Sequence, residues 1–153
     1  MLRVSKLTDY ATVVMTVLAA TAAARGAAAV ISAQELAERA HLELPTVSKL
    51  LKQLAHGELV VSSRGVNGGY RLARPADRIT IAEIVTAMEG PIGMTECSAQ
   101  AGLCGHEPHC GVRVNWQRIN QAIAQALDGV SVADMVKPAP KRHATIPVHL
   151  ATA

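Results

Sequence analysis

Through the N-terminal third of the chain, apolar residues recur three and four positions apart, the repeat of an α-helix. Thr8 to Ala24 reads as a first helix. Thr8 is placed to cap it, Asp9 sits in the first turn where a negative charge suits the helix dipole, and Gly26 ends it. Ser32-Ala-Gln-Glu35 is a capping box and predicts a second helix from Ala33 to about Ala40. A short turn over His41 to Leu44 follows, and Pro45 suits the first position of a third helix, where its missing N–H costs nothing. In that helix Val47, Leu50, Leu51 and Leu54 fall at i, i+3, i+4 and i+7 and make one buried stripe. Thr46, Ser48, Lys49, Lys52, Gln53 and His56 occupy the other face, and Gly57 stops the helix.

The period then changes. Leu59 to Arg64 is rich in β-formers, Gly65 to Gly69 is a turn with Asn67-Gly68 as a hairpin signal, and Tyr70 to Leu72 returns as a second strand. Two helices, a tight turn and a hairpin in this order predict a winged helix-turn-helix. Thr80-Ile-Ala-Glu83 is a further capping box, opening a helix to about Met88 that Gly90-Pro91 breaks. Gly93 to Gly111 has no periodicity and reads as a loop, longer than most structureless connections. From Val112 to Leu127 the helical repeat resumes. Val112, Trp116, Ile119, Ile123 and Ala126 form a heptad-like seam suited to a dimer face, with packing inside the monomer as its alternative. Ser131 caps a last short helix to Val136.

The fold class expected is therefore mainly α with a small β-hairpin wing: a winged helix-turn-helix plus a long dimerisation helix. The chain divides into a DNA-binding domain (1–90), a cysteine-containing loop (91–111), the dimerisation and short C-terminal helices (112–136) and a tail (137–153) whose composition reads as disordered.

Composition sharpens this picture in three places. Half the residues are hydrophobic but Phe is absent, so Ala, Val, Leu and Ile must build the core, which suits closely packed helices. The net charge of +3 is unevenly spread: residues 1–75 hold nine Lys and Arg against five Asp and Glu, whereas residues 76–153 hold six against seven. A polyanion partner is thus expected for the front half only. The apolar run from Ala11 to Ala24, after Arg3 and Lys6, imitates a secretory signal or a membrane span. Asp9 at its start and the threonines inside it favour a soluble helix, with no membrane partner.

A helix-turn-helix lays its second helix in the major groove, so Thr46, Ser48, Lys49 and Lys52 are candidate contacts to double-stranded DNA. Arg64, with Asn67 beside the glycine-rich tip, offers a minor-groove contact, and Gly65, Gly68 and Gly69 allow a close backbone approach. No nucleophile stands with a paired base and orienting group, which argues against an enzyme and against a small-molecule substrate.

The three cysteines, Cys97, Cys104 and Cys110, are an odd number within one loop. That argues for thiols in a reducing cytoplasm over a secreted disulfide scaffold. Their spacing is wider than the C-x2-C pairs of zinc ribbons, yet three thiolates on one loop can converge on a soft centre, an iron–sulfur cluster or zinc. Either centre wants a fourth ligand, for which Glu96, His106, Glu107 and His109 are candidates in the loop.

These features resemble a known family. Leu7-Thr-Asp-Tyr-Ala11, Arg64-Gly-Val-Asn-Gly-Gly-Tyr-Arg-Leu72, Ile81-Ala-Glu-Ile-Val85 and the cysteine triplet are similar to the winged-helix iron–sulfur regulators that include IscR and NsrR. Lys6 to Val14, Ala87 to Pro91 and Met94 to Cys97 resemble above all the branch that regulates the SUF assembly system. The resemblance implies a homodimer whose three cysteines hold a [2Fe–2S] or [4Fe–4S] cluster, the former slightly favoured, and whose DNA sites depend on cluster occupancy. The regulator is expected to repress iron–sulfur assembly genes, with nitric oxide or redox sensing as the alternative within the family and a structural zinc outside it. In the IscR-like branch a histidine three residues after the last cysteine completes the site, and that position here is Arg113. In the NsrR-like branch an aspartate at the start of the first helix does so from the partner subunit, and Asp9 matches it. Asp9 is the favoured fourth ligand, with His106, His109 and Glu107 as rivals.

Overall fold

Ser5, and not Thr8, starts the first helix of the computed structural model, which describes residues 3–137. Helix α1 runs Lys6–Arg25 because Ser5, in extended conformation, accepts a hydrogen bond from the Thr8 N–H at 3.2 Å. Thr8 is instead buried in the first turn. Gly26 closes the helix with a positive φ of 97°. Among the described residues α1 is the one helix long and apolar enough to cross a membrane. Its Ala11, Val14, Met15, Leu18 and Ala19 are buried in the protein's own core.

The second helix, α2, spans Ala33–Ala40 as expected. Only half of its capping box forms: Ser32 accepts from the Glu35 N–H, while the Glu35 carboxylate turns to Arg25 and Arg39. Helix α3, Leu44–His56, begins one residue before Pro45, with Glu43 at its cap. Its Val47, Leu50, Leu51 and Leu54 are fully buried, the stripe that the periodicity predicts.

Strand β1 (Val60–Ser63) pairs antiparallel with β2 (Gly69–Leu72), from Val60 opposite Leu72 to Ser63 opposite Gly69. This register leaves residues 64–68 in the tip, so Asn67-Gly68 is not a two-residue turn. Gly65 takes the positive φ, at 108°, while Asn67 and Gly68 do not. The other two glycines have reasons inside the chain rather than toward DNA. Gly68 packs on the Ser63 and Gly65 carbonyls, and Gly69 lies against the backbone of Ile31, which bridges to Tyr70.

After a 3-10 turn at Ala76–Arg78, helix α4 (Ile81–Glu89) opens with a complete Thr80/Glu83 capping box and ends at Gly90. The cysteine region, expected as loop, contains the short helix α5 (Glu96–Ala99) and a 3-10 turn at Glu107–His109. Helix α6 (Arg113–Asp128) and α7 (Val132–Val136) complete the described chain; the expected disordered tail lies outside it from residue 138 on. Helix α7 returns to the first core: Val132 is fully buried and its N–H donates to the Ile79 carbonyl. The architecture is a mainly helical winged helix in which α1 packs on α2, α3, α4, α7 and β2.

Two carboxylates brace this core. Burial pushes the Glu83 carboxyl upward, but the Thr80 backbone N–H and the Arg74 guanidinium outweigh it and hold it below the ordinary value of 4.5. Hydrogen bonds from Thr8 and Ser5 lower Glu89 in the same way. A depressed folded-state pKa contributes stability that is complete above the unfolded value and is lost as pH falls through the folded one. Thermal melts from neutral pH to about pH 3 should show this loss, and Glu83→Gln should flatten the profile over the same acid range.

Candidate nucleic-acid interface and cysteine loop

The solvent side of α3 carries Ser48, Lys49 and Lys52, all exposed, with Lys52 three and four positions after the other two and so their neighbour on the helix surface. Thr46, on the same helix, is half-buried. Arg64 and Asn67 are exposed in the wing tip. Cations separate into two classes. Arg25 and Arg39 are tied to Glu35, and Arg74 to Glu83. Lys49, Lys52 and Arg64 make no ion pair among the described residues. Other cations, among them Lys6 on α1 and Arg118 on α6, are also unpaired, but Lys49, Lys52 and Arg64 lie on the helix and the hairpin that sequence order assigns to DNA, where they remain available to phosphates. Lys49 and Lys52 also border a cleft with Gln53, His56 and Ala87.

All three cysteines are free thiols. Cys97, in α5, is buried and lies 3.3 Å from the Thr95 hydroxyl. Cys104 and Cys110 are half-buried on either side of the Glu107–His109 turn. Among the described residues, no three His, Cys, Asp or Glu side chains are gathered around one point. The donors fit a soft metal centre in their chemistry, being thiols outside any disulfide, and would supply three of four positions. Gathering them requires the loop to close.

The rival fourth ligands differ sharply. Glu107 is committed: one carboxylate oxygen accepts from the Gly102 N–H at 2.7 Å and the other pairs with Arg113. His106 and His109 are exposed, their rings meeting edge to face at 6.5 Å. Glu96 is exposed in the first turn of α5. Asp9 is exposed on α1 and its carboxylate has no hydrogen-bond or ion-pair partner among the described residues. It borders a groove lined by Val4, Ile81, Val85, Leu127 and Met135.

Sequence reasoning missed the groups that anchor the loop. Asn120 of α6 accepts from the Met94 N–H at 3.1 Å and donates to the Ile92 carbonyl at 3.0 Å, fixing the loop's root. An amide inside an apolar heptad pattern was the available signal. The Glu107–Arg113 pair, with Arg113 where the resemblance to the IscR-like branch implies a histidine, fixes the loop's end. At the cap of α6 and along it, Val112, Trp116 and Ile119 of the predicted seam stay exposed, at 54%, 36% and 45%.

Comparison with known proteins agrees with this geometry. The family model described as Rrf2, iron-dependent transcriptional regulator, matches residues 4–138. The transcriptional regulator IscR of Sodalis glossinidius is 31% identical over 102 residues, 67% of this chain and 61% of the relative. IscR of Xenorhabdus nematophila is 31% identical over 103 residues, 67% of this chain and 62% of its own length. The chain therefore matches about three fifths of the length of these relatives. Among solved structures, CymR, the global cysteine regulator of B. subtilis, superposes with a TM-score of 0.68 at 28% identity, covering 89% of this chain and 97% of that one. T. potens IscR superposes at 0.63 with 28% identity, covering 88% and 86%. These relatives are regulators of transcription and not enzymes. From α3 with its unpaired lysines to the hairpin wing, the chain belongs to the Rrf2 family of winged-helix, DNA-binding transcriptional regulators.

Proposed function

We propose that this chain is a homodimeric repressor, acting in the cytoplasm, that reads DNA through α3 and the wing and senses an iron–sulfur cluster, with iron–sulfur assembly genes as its targets. The observation that carries the reading is the coexistence of three free thiols on one loop with a spare carboxylate, Asp9, in a family described as iron-dependent. Cys97, Cys104 and Cys110 would hold the cluster, [2Fe–2S] slightly favoured over [4Fe–4S], and Asp9 of the partner subunit would complete it. The cluster would supply a bond set that oxygen, nitric oxide or iron shortage can break. A carboxylate is a hard, exchangeable ligand among soft ones, which suits a sensor.

The homodimer is supported by two complementary surfaces. Val112, Trp116 and Ile119 stand exposed at the cap of α6 and along it, and the groove beside Asp9 has an apolar floor of Ile81, Val85 and Leu127. Exposed apolar side chains of this size on one helix face are what a subunit contact buries. Thr46, Ser48, Lys49 and Lys52 would contact the major groove, with Arg64 and Asn67 in the adjacent minor groove.

Anaerobic reconstitution with iron and sulfide tests the reading. The wild-type chain should become coloured and oxygen-labile, Cys104→Ser should stay colourless, and Asp9→Ala should bind a cluster with a shifted spectrum and faster loss in air. The cluster-bound and cluster-free forms should differ in affinity for DNA upstream of iron–sulfur assembly genes by on the order of tenfold, a common size for coupling between sites. A colourless protein that retains zinc through purification would replace the sensor with a zinc-stapled regulator. A coloured protein whose cluster reacts with nitric oxide and whose targets lie elsewhere would favour the alternative sensor.

A further inference from the structure

The Glu89 side chain sits at the wrong end of its own helix. A carboxylate in the last turn of α4 faces the negative end of that helix's dipole, an unfavourable place. Its partners lie far away in sequence, in the first turn of α1. One carboxylate oxygen accepts from the Ser5 N–H at 2.9 Å and from the Thr8 hydroxyl at 2.5 Å. The Ser5 and Thr8 hydroxyls also lie 2.9 Å apart, which makes a three-residue knot. There the carboxylate faces the positive end of α1 and takes up a backbone N–H at its start.

Two features give this knot a direction. The residue after Glu89 is Gly90, with φ 87°, where the cysteine loop begins. The residue after Thr8 is Asp9, whose own carboxylate has no partner among the described residues because Ser5 and Glu89 already serve the helix start. Helix α1 also packs against α2, α3 and β2, that is, against the helix-turn-helix and the returning strand of the wing.

We infer that Glu89 is a positioning residue that ties the root of the cysteine loop to the Asp9 end of α1, so that a change in the loop is passed to α1. The inference rests on the proposed sensing role of the loop for its purpose, but not for its existence. Thr8 is buried, so the knot cannot slide without moving the helix start.

Amide hydrogen exchange on the cluster-free full chain tests it, with the loop thiols either free or alkylated by iodoacetamide. In the wild type, alkylation should raise exchange at residues 5–9. In Glu89→Ala those amides should exchange roughly tenfold faster from the outset, the effect of losing about one net hydrogen bond, and should no longer respond to alkylation. Glu89→Gln keeps an accepting oxygen and should respond as the wild type does. Thr8→Val, nearly isosteric, should weaken the response without abolishing it and guards against a misfolded alanine variant. If residues 5–9 ignore alkylation in the wild type, or if Glu89→Ala responds as the wild type does, the inference is overturned. A Glu89→Ala protein that only melts earlier and keeps the response overturns it too. Since no cluster is used, a failure of the sensing proposal leaves this result standing.

Discussion

Replacing Lys49 and Lys52 together by Ala will weaken operator binding at moderate salt more than any exchange of the paired arginines. Both lysines are exposed on α3, and no carboxylate among the described residues competes for them. The size and character of the loss depend on what each lysine meets. A lysine on a phosphate releases counterions, so its removal should flatten the slope of log K against log salt by about 0.9 per contact. A lysine on guanine O6 and N7 should instead cost about 1–3 kcal/mol and relax the preference at that base pair. Titrations of the single and double variants over a range of salt separate the two. Arg39→Ala is the control. Its guanidinium is held by Glu35 at 2.8 Å, and its loss should leave operator affinity within about twofold, the effect of a remote surface charge. Equal losses from Arg39→Ala and the lysine pair would reduce the proposed interface to a diffuse basic surface.

What the sequence made legible follows from how local each determinant is. The buried stripe of α3 needs only the repeat of four apolar side chains, and the cap of α4 needs only Thr80 and Glu83, three residues apart. Both are read correctly because the interacting groups are neighbours in the chain. The cap of α1 is misread by three residues, since Ser5 and Thr8 are both capping residues and the choice between them rests on Glu89, 84 positions from Ser5. The wing is recognised, and its five-residue turn is placed one residue late, at Gly65 to Gly69 against an observed tip of 64–68. Asn67-Gly68 is a strong local signal, yet the pairing of Ser63 with Gly69 and the bridge from Ile31 to Tyr70 set a register that leaves a longer tip. In the cysteine loop no periodicity exists to be read, because Asn120, Glu107 and Arg113 order it through polar contacts and not through an apolar face. The same limit holds for the candidate metal site. Sequence supplies the three thiols and the favoured Asp9; the structure adds that Glu107 is spent on Gly102 and Arg113, whereas the Asp9 and Glu96 carboxylates have no partner among the described residues. The return of α7 to the core was invisible for a similar reason, since the pairing of Val132 with Ile79, and of Val130 just before the helix with Ile81, joins distant segments.

Gly69→Ala is expected to be the single methyl that detaches the wing from the body. A Cβ at this position would lie 2.6 Å from the Ile31 carbonyl oxygen and 2.8 Å from the Ile31 carbonyl carbon, both backbone atoms that cannot rotate away. The strand must therefore separate from Ile31, and the two hydrogen bonds that join them would be lost: the Ile31 N–H to the Tyr70 carbonyl at 3.0 Å and the Tyr70 N–H to the Ile31 carbonyl at 2.8 Å. Overpacking and two broken backbone bonds together should cost roughly 2–3 kcal/mol, a fall in Tm of about 10 °C for a domain of this size. Gly65→Ala forms the contrast. Nothing lies within 4 Å of its Cβ, so its cost of roughly 1–2 kcal/mol comes only from the φ of 108° and should stay within the tip. The two variants separate stability from reading. Gly69→Ala should lower Tm and, even when folded at low temperature, bind DNA as Arg64→Ala does, because β2 no longer holds the wing against the body. Gly65→Ala should keep most of the Tm while shifting only the minor-groove preference. If Gly69→Ala melted with the wild type, the Ile31 bridge would not be what fixes the wing. The register from Ser63 to Gly69 would then have to hold the hairpin unaided, a task for which a two-stranded ribbon alone is marginal.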